Sequence, residues 1–406
     1  MSVVSKFLAD VKQDWSVSAI TSGFIAVIVS YAGPLLIVFQ AARIAHLSDA
    51  ELSSWIWAIS FSSGLAGMLL SAWFRAPVIA AWSTPGAVLL VSGWAGYSFA
   101  ESVGAFIFSA VLVVILGYSG LFSAMMERIP RGIIAAMLAG ILLKFGVDVF
   151  VSLKQMPLVA LPMFVVYLLS KRYCPRYAVA ATLLSGLASA GLLHELAPVA
   201  IRIALVEPVY TAPVFSLKAV VGLGLPLCIV TMVSQNATGI GVLKVDGYDL
   251  PPNPLIGVTG IASLLSAPFG SHGVNLAAIT AAICTGKEAH AQPEKRYVAG
   301  IACGVFYMLL SLFGATVVAV FSAFPAELIA VIAGVALFGS LGSSLSSAME
   351  TEKDKESALV TFLITISGIS LLGIGAPFWG LIGGMVTHGI LTGNIRWLWQ
   401  KLAPVK

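Results

Sequence analysis

The run Val38-Phe39-Gln40-Ala41-Ala42 returns 195 positions later as Val233-Ser234-Gln235-Asn236-Ala237. The same offset carries Pro130, Ile134, Ala135 and Leu142 onto Pro325, Ile329, Ala330 and Leu337. Two matches at one shift divide the chain into two halves of one pattern, a first repeat over residues 1–200 and a second over 210–400. Whatever fold the chain adopts must therefore place two related units against each other.

Composition fixes the medium in which they do so. Hydrophobic residues fill 59% of 406 positions and charged residues 10%, too apolar for a water-facing surface. The expected class is an all-α polytopic membrane protein. The formal charge of +4 implies no nucleic-acid partner, because Lys and Arg sit singly in short loops. The first apolar run, from about Ser16 to Phe39, is too long for a cleavable leader and reads as a mature span. Cys174, Cys228, Cys284 and Cys303 are scattered, with no disulfide framework and no metal spacing. No metal or cofactor is expected. Neither a P-loop, a GxSxG elbow nor an HExxH motif occurs, so an enzyme is not expected.

Charges, prolines and glycines bound fourteen candidate spans, at 17–39, 54–73, 77–93, 102–123, 132–150, 156–170, 177–193, 217–240, 254–267, 270–286, 296–320, 325–343, 357–373 and 377–396. Seven spans per repeat is odd, so the second repeat must enter the membrane from the opposite side and the repeats are inverted. The Pro-rich connection from Glu195 to Ser216 lies at their junction. An even total puts Arg75, Arg128, Arg131, Lys171, Arg172, Arg176, Lys244, Lys287, Lys295, Arg296, Lys353 and Lys355 on the side of both termini. Only Arg43, Lys144, Lys154, Arg202 and Lys218 fall opposite, so both termini are expected in the cytoplasm.

Spans three and ten are abnormal, and they correspond. The third runs from Ala76 through Ser83-Thr84-Pro85-Gly86 and is broken at its centre; the tenth opens Ala267-Pro268-Phe269-Gly270-Ser271-His272-Gly273 before a helical run from about Val274. Each reads as an extended segment followed by a half-helix, with Ser83 or Thr84 as an N-cap and Pro85 in the first turn. Non-helical backbone at membrane depth survives where protein or a watery cavity satisfies it. Two half-helices facing one cavity would aim N–H groups and positive dipole ends at one point, which favours an anion. The competing reading is that Pro and Gly only permit close helix packing. Repeats of this size with matched broken spans are a mark of secondary transporters, whose ligand site lies near the bilayer midplane.

Polar residues near the breaks complete the candidate site. Gln40, Gln235 and Asn236, at matched positions, would bind a ligand or tie the repeats together. His272 would carry a proton or, neutral, shape the break by donating to a backbone carbonyl. Gly270 and Gly273 belong to the break, and Asn275 would face the cavity or cap the loop. No Asp or Glu falls securely inside a span, since Glu101, Asp148, Glu288 and Glu327 lie near predicted ends. Lys144 reads as an interfacial residue whose stem snorkels, and Glu350 to Glu356 as a solvated loop.

The stretches Asn236 to Lys244 (NATGIGVLK) and Ala267 to His290 (APFGSHGVNLAAITAAICTGKEAH), with Tyr31-Ala32-Gly33-Pro34-Leu35, resemble the benzoate/proton symporter family, BenE, over essentially the whole chain. The resemblance implies a fold similar to nucleobase transporters and sulfate-permease-type carriers. It also implies a core domain, residues 17–123 and 217–320, that moves against a gate or scaffold domain, residues 132–193 and 325–396. The wider fold implies a homodimer through the gate domains, in a bacterial cytoplasmic (inner) membrane. Nucleobase carriers of this fold place carboxylates in spans eight and ten, where this chain has Gln235, Asn236, His272 and Asn275. An aromatic ring bearing one carboxylate suits a pocket of helix N-termini and apolar walls better.

The expected function is proton-coupled import of benzoate or a similar aromatic carboxylate by alternating access. Ser83, Thr84, Gly86, Gly273 and Asn275 would donate to the carboxylate, Gln40, Gln235 and Asn236 would order the cavity, and His272 is the proton candidate. The alternatives are a carrier or channel for small inorganic anions such as sulfate or bicarbonate, a nucleobase-type proton symporter, and a non-transporting membrane scaffold.

Overall fold

The computed structural model describes residues 3–94, 96–120, 130–198, 204–277, 279–287, 289–369, 371 and 376–392. Helices occupy described parts of each of the fourteen apolar stretches, while Arg128, Arg202, Glu288, residues 121–123, 278, 370 and 372–373 and the end of the last stretch lie outside the described residues. Among the described residues, five helices are long and apolar enough to cross a membrane: Val17–Ile44, Asp49–Phe74, Phe99–Ser119, Arg131–Gln155 and Leu217–Lys244. Two bent pairs raise that number to seven. Pro293–Ser311 meets Gly314–Phe321 at 73°, and Ala326–Gly339 meets Leu341–Ala348 at 41°.

Local sequence explains where the helices begin. Ser48 and Glu51 close one capping box, and Ser98 and Glu101 another, each satisfying two end donors. Glu101 is thus a helix-start residue, in keeping with its position outside the span. The first apolar stretch is two helices, Val17–Ala32 and Pro34–Ile44, because Pro34 lacks the N–H that would continue the ladder. Large apolar side chains such as Leu184 (66% exposed) and Leu265 (71%) point outward, as a lipid-facing surface requires.

The two halves interlock. Asp49–Phe74 packs on Tyr297–Ser311, Phe99–Ser119 on Pro252–Ser266, and Arg131–Gln155 on its repeat counterpart Ala326–Ala348. Small residues allow the closest crossings: a Cβ on Gly64 would lie 2.5 Å from Gly304 O, and one on Gly117 2.7 Å from Gly257 N.

At the centre, strand β1 (Ala80–Trp82) pairs antiparallel with strand β2 (Val274–Leu276), in the register Ala80↔Leu276, Ala81↔Asn275, Trp82↔Val274. The helix Thr84–Gly93 follows β1, and Ile279–Thr285 follows β2. Both abnormal spans are therefore extended segments leading into short helices, but the second helix is Ile279–Thr285 and does not start at about Val274 as expected, because Val274–Leu276 is drawn into pairing with β1. The helical stretch from Leu217 to Val245 contains two π-helical turns, Val220–Gly224 and Met232–Asn236. From Ala204 to Phe215 the chain has no regular secondary structure. There Val209 N–H donates to Ser54 Oγ at 2.9 Å, Thr211 N–H to Pro268 O at 2.8 Å and Val214 N–H to Ala100 O at 2.9 Å.

Candidate functional site

Ser83 ends the first break and caps the helix after it. Its Oγ accepts from Gly86 N–H at 3.1 Å, its carbonyl accepts from Ala87 N–H at 2.8 Å, and the hydroxyl also bonds Thr231 Oγ1 at 3.0 Å. This is the expected N-cap. Because Ser83 is fully buried and Gly86 N–H is committed to it, neither presents a donor to open space. Gly86 is small for packing reasons, since a Cβ there would sit 2.6 Å from Leu227 Cδ1.

The second break is held from three sides. Trp55 Nε1–H donates to His272 Nδ1 at 3.0 Å, and His272 Nε2 lies 2.9 Å from Ser83 O. An indole nitrogen only donates, so Nδ1 accepts and the proton sits on Nε2, which donates to the carbonyl. Both nitrogens of this neutral imidazole are thus engaged, and His272 is 1% exposed. With its amide oriented to satisfy both ends, Asn275 accepts from Ser83 N–H at 3.0 Å and donates to Leu276 O at 3.0 Å. Asn236 Oδ1 accepts from Leu276 N–H at 3.0 Å. Gly270 and Gly273 have φ of 99° and 138°, a backbone region that side chains other than hydrogen disfavour, so both are turn residues.

A cavity of about 1460 Å³ runs beside the paired strands. Trp82, Thr84 and Pro85 line it from the first break, Ala277 and Thr280 from the second, and Gln235 and Thr238 from the π-helical stretch. Its far wall is apolar, formed by Ile134, Leu138, Leu142, Val335 and Ala336. Arg131, Lys171 and Glu350, all exposed, stand where it reaches the surface.

The expected site residues therefore divide. Thr84 and Gln235 face the cavity. Ser83, Gly86, Asn236, Gly270, His272, Gly273 and Asn275 build the frame behind it, and Gln40, half-buried in Pro34–Ile44, does not line it. Helix Thr84–Gly93 offers few first-turn donors, because Pro85 has no N–H and Ser83 accepts from Gly86 and Ala87. Sequence reasoning passed over Trp82, Thr238 and Thr280. A bulky aromatic directly before a cap, and a threonine in the first turn of the second half-helix, were the available signals.

The family model of the benzoate membrane transport protein, BenE, matches residues 13–390. The "Benzoate membrane transport protein" of Acinetobacter baylyi is 42% identical over 388 residues, covering 96% of this chain and 98% of its own. The "Inner membrane protein YdcO" of Escherichia coli is 42% identical over 370 residues, covering 91% and 95%. Among solved structures, that of SLC26A9 aligns with a TM-score of 0.62 at 15% identity, covering 92% of this chain and 65% of its own. The transmembrane domain of a cyanobacterial bicarbonate transporter, BicA, aligns with a TM-score of 0.54 at 15% identity, covering 87% and 97%. The fold is thus shared with anion transporters. The chain is an integral membrane transport protein and not an enzyme, and it belongs to the BenE family of benzoate membrane transport proteins.

Proposed function

We propose that the protein imports benzoate or a similar aromatic carboxylate together with protons, by alternating access across a bacterial inner membrane. The observation that carries this reading is the cavity itself: polar groups at the meeting point of the two breaks, faced by an apolar wall. A ring with one carboxylate matches that division of surface. Small inorganic anions fit the same fold, which keeps a sulfate- or bicarbonate-like substrate as the rival.

In this reading fourteen spans form two inverted repeats of seven. Antiparallel pairing of the corresponding strands β1 and β2 supports it, as does packing of Arg131–Gln155 on Ala326–Ala348. Residues 17–123 and 217–320 form the core domain and 132–193 with 325–396 the gate, and the cavity's two walls come from these two sets. Substrate binds between Thr84, Gln235 and Thr280. His272 serves as a neutral tie between the breaks, and the proton is carried elsewhere. Both termini are cytoplasmic in this reading, and for the N-terminus its helix's contacts support it: Asp10 pairs with Arg75, and Asp14 lies 3.5 Å from Lys295. All four belong to the end of the molecule that is basic by span counting. A homodimer through the gate helices belongs to the same reading and is carried by the fold group alone.

The test is benzoate uptake into proteoliposomes under an inward proton gradient, with sulfate and uracil as comparators and an uncoupler as control. Protein-free liposomes are essential, since neutral benzoic acid crosses lipid unaided. Gradient-dependent benzoate accumulation that needs the protein is the expected result. Movement of sulfate alone would replace the substrate while leaving the anion cavity in place.

A further inference from the structure

Trp82 ends β1 directly before the Ser83 cap, is 2% exposed, and lines the cavity. Its ring stands edge-to-face between Tyr31 (centroids 5.7 Å apart) and Tyr307 (5.6 Å). Both tyrosine hydroxyls are engaged, Tyr31 donating to Ser60 Oγ at 2.7 Å and Tyr307 to Ser30 Oγ at 2.6 Å. The indole N–H of Trp82 differs, being buried with no acceptor among the described residues. Buried polar groups are paired in the great majority of cases, and this one can only donate. Trp94 also has an unpartnered N–H, but it packs among Trp55, Phe99 and Phe106 and does not line the cavity.

The geometry points to Trp82 as the residue that reads the substrate, its indole N–H donating to the carboxylate beside Thr84 while its ring forms the wall for the arene. The inference rests on the aromatic-carboxylate reading above and supplies a donor that reading needs, since Ser83 and Gly86 are committed to the cap. A carboxylate is the stronger class of acceptor, and the edge-to-face contacts with Tyr31 and Tyr307 hold the indole in place before an arene arrives.

The experiment is benzoate uptake kinetics for Trp82→Phe, which keeps an aromatic ring and removes the N–H, with Trp94→Phe as control. Trp82→Phe should raise the benzoate KM about tenfold with Vmax within about twofold, a split that a general packing defect would not produce. Trp94→Phe should leave both parameters unchanged. Replacement of Trp82 by benzothienylalanine, an isostere without the N–H, should reproduce the KM effect and decides the matter if Trp82→Phe inserts poorly. Wild-type benzoate uptake with unchanged KM in these Trp82 replacements would overturn this inference alone. Absence of wild-type benzoate uptake would overturn the substrate reading as well.

Discussion

Ala81 and Asn275 are directly opposed in the two-stranded sheet, and the 195-residue offset carries Ala80 onto Asn275 and Ala81 onto Leu276. Under the proposed inverted repeat, a two-fold axis would pass between the pairs Ala80–Leu276 and Ala81–Asn275 and exchange them. The residues themselves differ. Ala81 offers only a methyl group, whereas Asn275 binds Ser83 N–H and Leu276 O. Asn275→Ala should therefore lower stability by about 1 kcal/mol, since Leu276 O loses the amide donor while Ser83 N–H keeps Gly273 O. The expected result is a lower thermal midpoint in detergent, with uptake reduced at least in proportion.

His272 links Trp55 to Ser83, so its replacement separates tying from proton transfer. His272→Gln keeps an acceptor and a donor, and should leave the pH profile of uptake and proton-driven accumulation intact. His272→Leu unpairs the Trp55 indole N–H, while Ser83 O keeps Ala87 N–H, and should cost about 1–3 kcal/mol of stability. Loss of accumulation in a stable His272→Gln protein would return the proton to this side chain.

Gly86 faces Leu227 across the junction of the two halves. Gly86→Ala should destabilise by about 1–3 kcal/mol through overpacking, and Leu227→Ala should rescue part of that loss. A double-mutant cycle on thermal stability and uptake measures the coupling, and strict additivity would contradict the contact.

Thr84 and Gln235 are the expected site residues that face the cavity, so they should act on binding rather than on folding. Thr84→Val conserves shape and should raise the benzoate KM about tenfold at similar thermal stability. Gln235→Met should do the same. Kinetics and melting curves on the same preparations check both.

Arg131 and Lys171 stand at the mouth, where exposed charge attracts an anion at long range. The pair Arg131→Gln and Lys171→Gln should lower kcat/KM several-fold at low ionic strength, and the loss should vanish near 1 M salt, where screening is nearly complete. Salt-dependent uptake by the double variant gives the comparison.

Much of this site was legible in the sequence, for physical reasons that particular residues display. Pro85 after Ser83-Thr84 announces a helix start inside an apolar run, and the N-cap formed at Ser83. The glycines flanking His272 announce a turn, and both adopt positive φ. Chain periodicity could not say which face of a broken span meets the cavity. Donors expected to hold a ligand were instead used up between the breaks, because β1 and β2 pair with each other and Asn236 binds Leu276 N–H. Pairing between segments about 195 residues apart leaves no local trace. The 73° bend after Ser311 was also hidden, since apolar composition continues unbroken through it.

The π turn Met232–Asn236 holds a surplus residue relative to an α-helix of the same rise. Deleting one residue there would restore regular winding and swing the preceding turns about 100° around the helix axis. Thr231 would lose Ser83 and Gln235 its place on the cavity wall, while hydropathy and composition hardly changed. A single-residue gap in this stretch of a relative's sequence is therefore a functional marker. It separates proteins that keep this chemistry from those that keep only its membrane-spanning shell.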